Sequence, residues 1–229
     1  PVAPDLQDLE GNITVSASAQ AESDDFNNSV VGALNVPLVS DQLALRVAAY
    51  RFDNAGYIDA VSTPFLEANA VATDSTVILE DDLNGSTFTG ARAALLWAAN
   101  EQVDVTLTIG TQDTDATGGG EMVSGSDYQA TYLNTPHGMT ETVEFDYGSL
   151  LVEYDLGWAS LMSATSVFKG ETTLHQNFST QAPGVGFDAV SLNSLVDEDR
   201  IVEEVRLASQ FEGPWQFMAG LFYEDFQQD

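Results

Sequence analysis

Apolar and polar residues alternate with a period of two in nine separate segments, the spacing of β-strands rather than helices. The segments are 11–21, 28–38, 42–53, 88–99, 102–113, 143–155, 158–170, 200–211 and 215–226. In 200–211, Val205 and Leu207 point one way and Glu204 and Arg206 the other. Beyond a hinge at 212–214, Trp215, Phe217, Ala219, Leu221 and Tyr223 share one face. Segment 91–99 is alanine-rich, yet Ala91, Ala93, Leu95 and Trp97 alternate against Arg92, so it reads as a strand.

The connections alternate in length. Residues 39–41, 100–101, 156–157 and 212–214 are tight turns with hairpin chemistry. Between them lie the long polar connections 54–87, 114–142 and 171–199, while the first connection, around 22–27, is short. Compact domains rarely carry several structureless loops longer than about 15 residues. Short turns at one end and long loops at the other are the pattern of an outer-membrane barrel. Most segments exceed the roughly 9–11 residues that cross a bilayer at a tilt. The sequence therefore predicts an all-β fold: an antiparallel transmembrane up-and-down β-barrel, partial, of about nine strands, with short periplasmic turns and long extracellular loops.

On this reading Leu43, Leu45, Val47, Ala49, Ala91, Ala93, Leu95, Trp97, Val103, Val105, Leu107 and Ile109 face lipid. The lumen-facing set is Arg46, Arg92, Asp104, Thr106, Thr108, Glu204 and Arg206, with the arginines expected in ion-pair networks. Segment 158–170 is about equally polar on both faces and stays unassigned. Trp97, Trp158 and Trp215 all fall beside tight turns, with Tyr154 close to the second of these, as one aromatic girdle at an interface requires. Large aromatics also plug the ends of soluble sandwiches.

Composition narrows the classes. A net charge of −30, from 36 acidic and six basic residues, repels nucleic acid electrostatically and argues against a phosphate-reading role. With no cysteine, there is no disulfide framework, zinc-thiolate site or thiol nucleophile. No run of about 18 apolar residues is present, so no transmembrane helix is expected. Residues 1–11 lack the regions of a signal peptide.

Several stretches resemble the barrel of TonB-dependent outer-membrane receptors. "NVPLVSDQLALRVAAYRFDNAGYI" (35–58) is similar to that family's early hairpin, a "plsd" turn followed by "lalR", an aromatic segment and Gly-Tyr. "EEVRLAS" followed by "WQFMAGLFYED" (203–225) resembles the hairpin written "ElRlas…w…Gl.y". "LMSATSVF" (161–168) resembles the "L.S.T.y" strand before a long loop, and "PDLQDLEGNITVSA" (4–17) the start of the barrel after the plug. The resemblance implies an active-transport receptor in the outer membrane of a Gram-negative bacterium. Its ligand would be a scarce bulky nutrient: a ferric siderophore or similar iron complex first, with haem, cobalamin or oligosaccharide as alternatives. Uptake would be energised by the TonB complex through a plug. Neither the plug nor the family's roughly 22 strands can be placed in these residues, so 1–229 is expected to be a partial barrel with two open edges.

Ligand contacts in such a receptor would come from the long loops, where Tyr57, Phe65, Asp74, Tyr128, Tyr132, His137, His175 and Phe178 are the candidates. Each is equally the kind of residue that packs loops together. No cofactor or metal site is expected: His137 and His175 lack metal-ligand spacing, and the acidic runs at 24–25 and 197–199 lack the calcium-loop pattern. No catalytic constellation emerges, so no enzyme is expected. Two other classes fit the strands: a passive porin, and a secreted β-sandwich adhesin or surface-layer module whose apolar faces pack on each other. Solubility without detergent separates the last from both barrels.

Overall fold

The computed structural model describes residues 2–62, 77–118, 128–131, 139–177 and 191–229. These form twelve strands: β1 Glu10–Ala19, β2 Phe26–Val39, β3 Leu43–Asn54, β4 Asp59–Ser62, β5 Val77–Glu80, β6 Ser86–Asn100, β7 Val103–Thr117, β8 Gln129–Thr131, β9 Met139–Asp155, β10 Ala159–Asn177, β11 Ser191–Ser209 and β12 Met218–Gln228. Nine make one antiparallel meander in the order β1-β2-β3-β6-β7-β9-β10-β11-β12, and each pairs with its neighbour in the chain order of the nine predicted segments. The sheet is open, with β1 and β12 at its edges. Among the described residues no helix is long and apolar enough to cross a membrane, which has no bearing on strands.

The strands start beside the short turns where the alternation starts, at Leu43, Val103 and Ala159. They run further than expected on the long-loop side: β7 reaches Thr117, β10 reaches Asn177 and β11 begins at Ser191. There the few apolar residues, Leu174, Leu192, Leu195 and Val196, fall on both faces, so no period-two signal marks these parts, yet the register continues unbroken from Ala159↔Ser209 to Asn177↔Ser191. One boundary moves the other way. β12 begins at Met218, so Trp215 and Phe217 lie in the connection 210–217, not in the strand. The Gln216 side chain fastens that connection by accepting from the Ser209 hydroxyl at 2.8 Å and donating to the Phe211 carbonyl.

The long loops are not structureless. β4 pairs antiparallel with β5 and parallel with β8, joining two loops into a second, three-stranded sheet. Asn84 organises its base, its side-chain oxygen accepting the Tyr57 and Ile58 N–H groups at 2.7 and 3.0 Å. Ile58 and Leu83 are buried there, with Tyr57 packed against them.

The register sorts the large sheet into two faces. One carries the cross-strand row Arg46–Ala94–Thr108–Ser149–Ser166–Val202–Glu224. The other carries Val47–Ala93–Ile109–Gly148–Val167–Ile201–Asp225. On the first face Ala94 and Thr108 are 3% and 8% exposed; on the second Leu107 and Ile109 are 46% and 56% exposed. Segment 158–170, unassigned from sequence, puts Leu161, Ser163, Thr165 and Val167 on the exposed face.

Chirality and stagger decide which face lies outside when such a sheet curls. In the strands that run toward the short turns, residues of the buried-side face bond back to the preceding strand: Ala98 N–H to Gln42, Asp155 N–H to Gln102, Gln210 N–H to Trp158. Asp197, on the exposed face, exchanges both bonds with Asp229 on the following strand. An L-residue whose side chain faces the viewer in an upward strand directs its N–H and C=O to the right. Viewed on the exposed face with the long loops up, the chain therefore advances from right to left. The row through Arg46, Thr108 and Ser166 meanwhile climbs away from the short turns, from Leu43 to Arg46, then Val103 to Thr108, then Ala159 to Ser166. Rows that climb leftward belong to strands leaning right, the lean that right-handed sheet coiling gives a barrel seen from outside. Closed into a barrel with this stagger, the sheet would carry the Leu107 and Ile109 face outside and the Arg46 and Thr108 face inside; as an open sheet it holds a cavity of ≈ 1510 Å³ against the first of these faces, with Val47, Ala93, Ile109, Val167 and Ile201 on its wall. These faces are called outer and inner below.

Candidate functional site

The outer face is an apolar band with a polar edge on each side. Toward the short turns it ends near Trp97 and Tyr154, with Trp158 and Trp215 in the adjoining connections; all four are exposed. Toward the loops its last apolar residues are Ala49, Ala91, Ile109, Val167, Ile201 and Tyr223. Ala49 and Ala91 share one row; Ile109, Val167 and Ile201 share the next outer row down, and Tyr223 sits a further row down. Both edges of the band therefore descend through the rows in the same sense, so the band stays level while the strands lean.

Above it stands a row of carboxylates, Asp113–Glu144–Glu171–Asp197–Asp229, each opposite the next. The band is interrupted at one place, where Glu203 accepts the Ser163 hydroxyl at 3.0 Å and the Thr165 hydroxyl beside it.

The inner face is built differently. Tyr50 lies over Gly90 and Tyr147 over Gly110; a Cβ added at either glycine would come within 2.5 Å of the tyrosine ring. The glycines are needed because each ring crosses directly above its cross-strand partner, at Tyr50↔Gly90 and Gly110↔Tyr147. The Tyr50 hydroxyl donates to Gln112. Phe145 stacks on Phe168 with ring centroids 5.5 Å apart and also neighbours Tyr147. This aromatic wall escaped the sequence reading, although Tyr or Phe opposite Gly on adjacent strands is its signature.

The inner-face set Arg46, Arg92, Glu204 and Arg206 shares this face in the register. The expected ion-pair network holds only in part. Arg206 pairs with Glu204, and Arg200 with Glu198 at 2.8 Å and Glu224 at 3.6 Å. Arg46 and Arg92 have no ion pair among the described residues. The reason is local. Paired arginines have a carboxylate two residues along their own strand, on the same face, whereas Arg46 is flanked by Ala44 and Ala48 and Arg92 by Gly90 and Ala94.

Of the loop candidates, Tyr57 and Tyr128 meet each other edge-on at 5.9 Å beside the small sheet, where the Tyr128 carbonyl accepts the Asp59 N–H at 2.9 Å. His175 is not in a loop but in β10, its ring nitrogen bonded to Asn193 of β11. Phe65, Asp74, Tyr132, His137 and Phe178 lie outside the described residues. No metal-binding group of three or more His, Cys, Asp or Glu occurs among the described residues.

At the short-turn end the inner face is closed by residues 4–8. Asn35, fully buried, accepts the Asp5 N–H at 2.9 Å and donates to the Asp5 and Asp8 carbonyls at 2.9 and 2.7 Å. The Asp5 carboxylate accepts the Gln7 and Asp8 N–H groups, which hold its pKa below the ordinary carboxylate value. Comparison with known proteins returns no family model, no curated protein and no solved structure that matches the chain.

Proposed function

We propose that the nine-stranded sheet is a section of outer-membrane barrel wall, its outer face in lipid and its inner face lining a lumen. The observation that carries this reading is the apolar band on the side that this stagger would turn outward in a closed barrel. A soluble sandwich or barrel needs its apolar side chains on the enclosed face, where Arg46, Arg92, Thr108, Glu204 and Arg206 stand among the aromatics of the wall. The band has the right height. Ala91 to Ala99 is nine residues of β6, within the roughly 9–11 that cross a bilayer at a tilt. Exposed Trp97, Tyr154, Trp158 and Trp215 at the short-turn edge fit an interfacial girdle, and the carboxylate row fits the hydrated side beyond the other edge.

Within that class we read the protein as an active-transport receptor for a scarce bulky nutrient, an iron complex first. The support is the resemblance to TonB-dependent receptors, together with loops organised into a separate sheet and an inner wall of aromatics and arginines. The open edges at β1 and β12 then pair with further wall strands, because unpaired strand edges cannot face lipid. The test is uptake of radiolabelled ferric chelates in iron-starved cells with and without the gene, before and after an uncoupler. Loss in the deletion strain together with uncoupler sensitivity is expected. Uptake indifferent to the uncoupler supports a passive porin, and recovery of the protein without detergent supports an adhesin.

A further inference from the structure

The geometry points to an oxyanion seat at Arg46 and Arg92, which takes the carboxylate or phosphate group of a small planar ligand whose ring lies along the aromatic wall. The inference rests on the inner-face assignment and needs neither energy coupling nor a completed barrel. Its first support is the unequal treatment of the arginines. In a chain of net charge −30, Arg51, Arg200 and Arg206 are each neutralised on their own strand. Arg46 and Arg92 are not, and they are neighbours. Arg46 stands opposite Ala94 and Arg92 opposite Ala48, so the two are diagonal across β3 and β6, with Cβ atoms about 7–8 Å apart or less. A planar oxyanion between two guanidinium forks would neutralise two like charges held side by side.

Space is the second support. The inner-face residues Ala44, Ala48, Gly90, Ala94 and Gly110 around the pair are small, while Asn35 stands opposite Arg46 on β2 and Leu96 diagonal to it on β6. A cavity of ≈ 420 Å³ opens on the β1 side of Arg46, with Leu9, Glu10, Gly11 and Asn12 on its wall and Arg92 outside it, so it supplies space at the Arg46 end of the seat. The third support is direction. Arg92, Gly110, Tyr147 and Phe168 occupy one cross-strand row, and the Tyr147 ring lies over Gly110 toward the Arg92 strand. A ligand anchored at the guanidiniums meets Tyr147 next, then the Phe168 and Phe145 stack. Glu10, the one carboxylate on the cavity wall, opposes the anion and limits affinity.

The probe is 2-naphthoate, with 1-naphthyl phosphate as the second oxyanion and 2-naphthalenemethanol as the neutral shape control. Binding to the full chain is followed by intrinsic fluorescence and calorimetry at low and high salt. Saturable, salt-sensitive naphthoate binding is expected, at least tenfold tighter than the alcohol. Arg46→Gln and Arg92→Gln should each weaken it about tenfold or more, while Arg51→Gln on the outer face leaves it unchanged. Glu10→Gln should tighten it. Comparing the two oxyanions assigns the group: a preference for the phosphate names a phosphoryl ligand, and a preference for naphthoate a carboxylate.

Absence of saturable binding overturns the seat, as does equal binding of the alcohol or indifference to both arginine variants when circular dichroism shows them folded. Membrane partition is measured separately on the same samples. A seat found in a chain that stays out of lipid keeps this inference and ends the barrel reading; lipid insertion without naphthoate binding does the reverse.

Discussion

Tyr50 lies flat across Gly90, its partner on the next strand, so closely that a Cβ there would sit 2.5 Å from the ring. Gly90→Ala should therefore destabilise by about 1–3 kcal/mol, the usual cost of overpacking a fitted site. Gly32→Ala, where a Cβ meets nothing closer than 3.9 Å, should cost little. Adding Tyr50→Ala to Gly90→Ala removes the clash, so a double-mutant cycle from denaturation midpoints should show strong positive coupling. Additive effects would mean that the ring does not cross the glycine.

Asn35 holds residues 5–8 against the inner face through three bonds made by one buried carboxamide. Asn35→Ala strands the Asp5 N–H and two carbonyls, at about 1–3 kcal/mol for a buried group left unpaired. Amide exchange at Asp5 and proteolysis near residue 8 should both accelerate. An unchanged exchange rate would contradict the bonding.

The same segment carries a pH dependence. The Asp5 carboxyl is depressed in the folded chain by the Gln7 and Asp8 N–H groups. Its contribution is present above the unfolded pKa, near 3.9, and is lost as pH falls through the lower folded value. Exchange at Gln7 and Asp8 should stay protected at pH 5 and rise only below about 4, after correction for intrinsic rates. Asp5→Asn, whose side-chain oxygen still accepts both bonds without titrating, should abolish that rise.

The carboxylate row Asp113, Glu144, Glu171, Asp197 and Asp229 sets like charges directly opposite one another, which costs up to about 1 kcal/mol per pair. Glu144→Gln and Glu171→Gln should each raise the unfolding midpoint at low ionic strength. The gain should vanish near 1 M salt, where the Debye length is about 3 Å. A salt-independent gain would assign it to packing instead.

The sequence carried the sheet's skeleton because one face of each strand is apolar wherever the band crosses it. Leu43, Val103 and Ala159 mark strand starts that alternation locates to within a residue. Above Ile109 and Ile201 alternation fades, since Asp113, Thr114, Asp115, Asp197 and Glu198 are polar on both faces, and only cross-strand pairing shows that the strands continue. The β4, β5 and β8 sheet was illegible for another reason: its strands are four residues or fewer and join two loops distant in sequence. For the arginines, charge pattern alone suggested a common network. The register separates Arg206, beside Glu204, from Arg46 and Arg92, beside alanine and glycine.

The most direct test is to ask which face meets lipid. The chain has no cysteine, so single cysteines at Ile109 and at Thr108, adjacent on β7 and opposite in direction, can each carry a fluorophore in the protein held in lipid vesicles. The outer-face assignment predicts strong quenching of the Ile109 label by brominated acyl chains and little by aqueous iodide, with no acyl-chain quenching at Thr108. Iodide quenching of the Ile109 label without acyl-chain quenching, or acyl-chain quenching at Thr108, would contradict it.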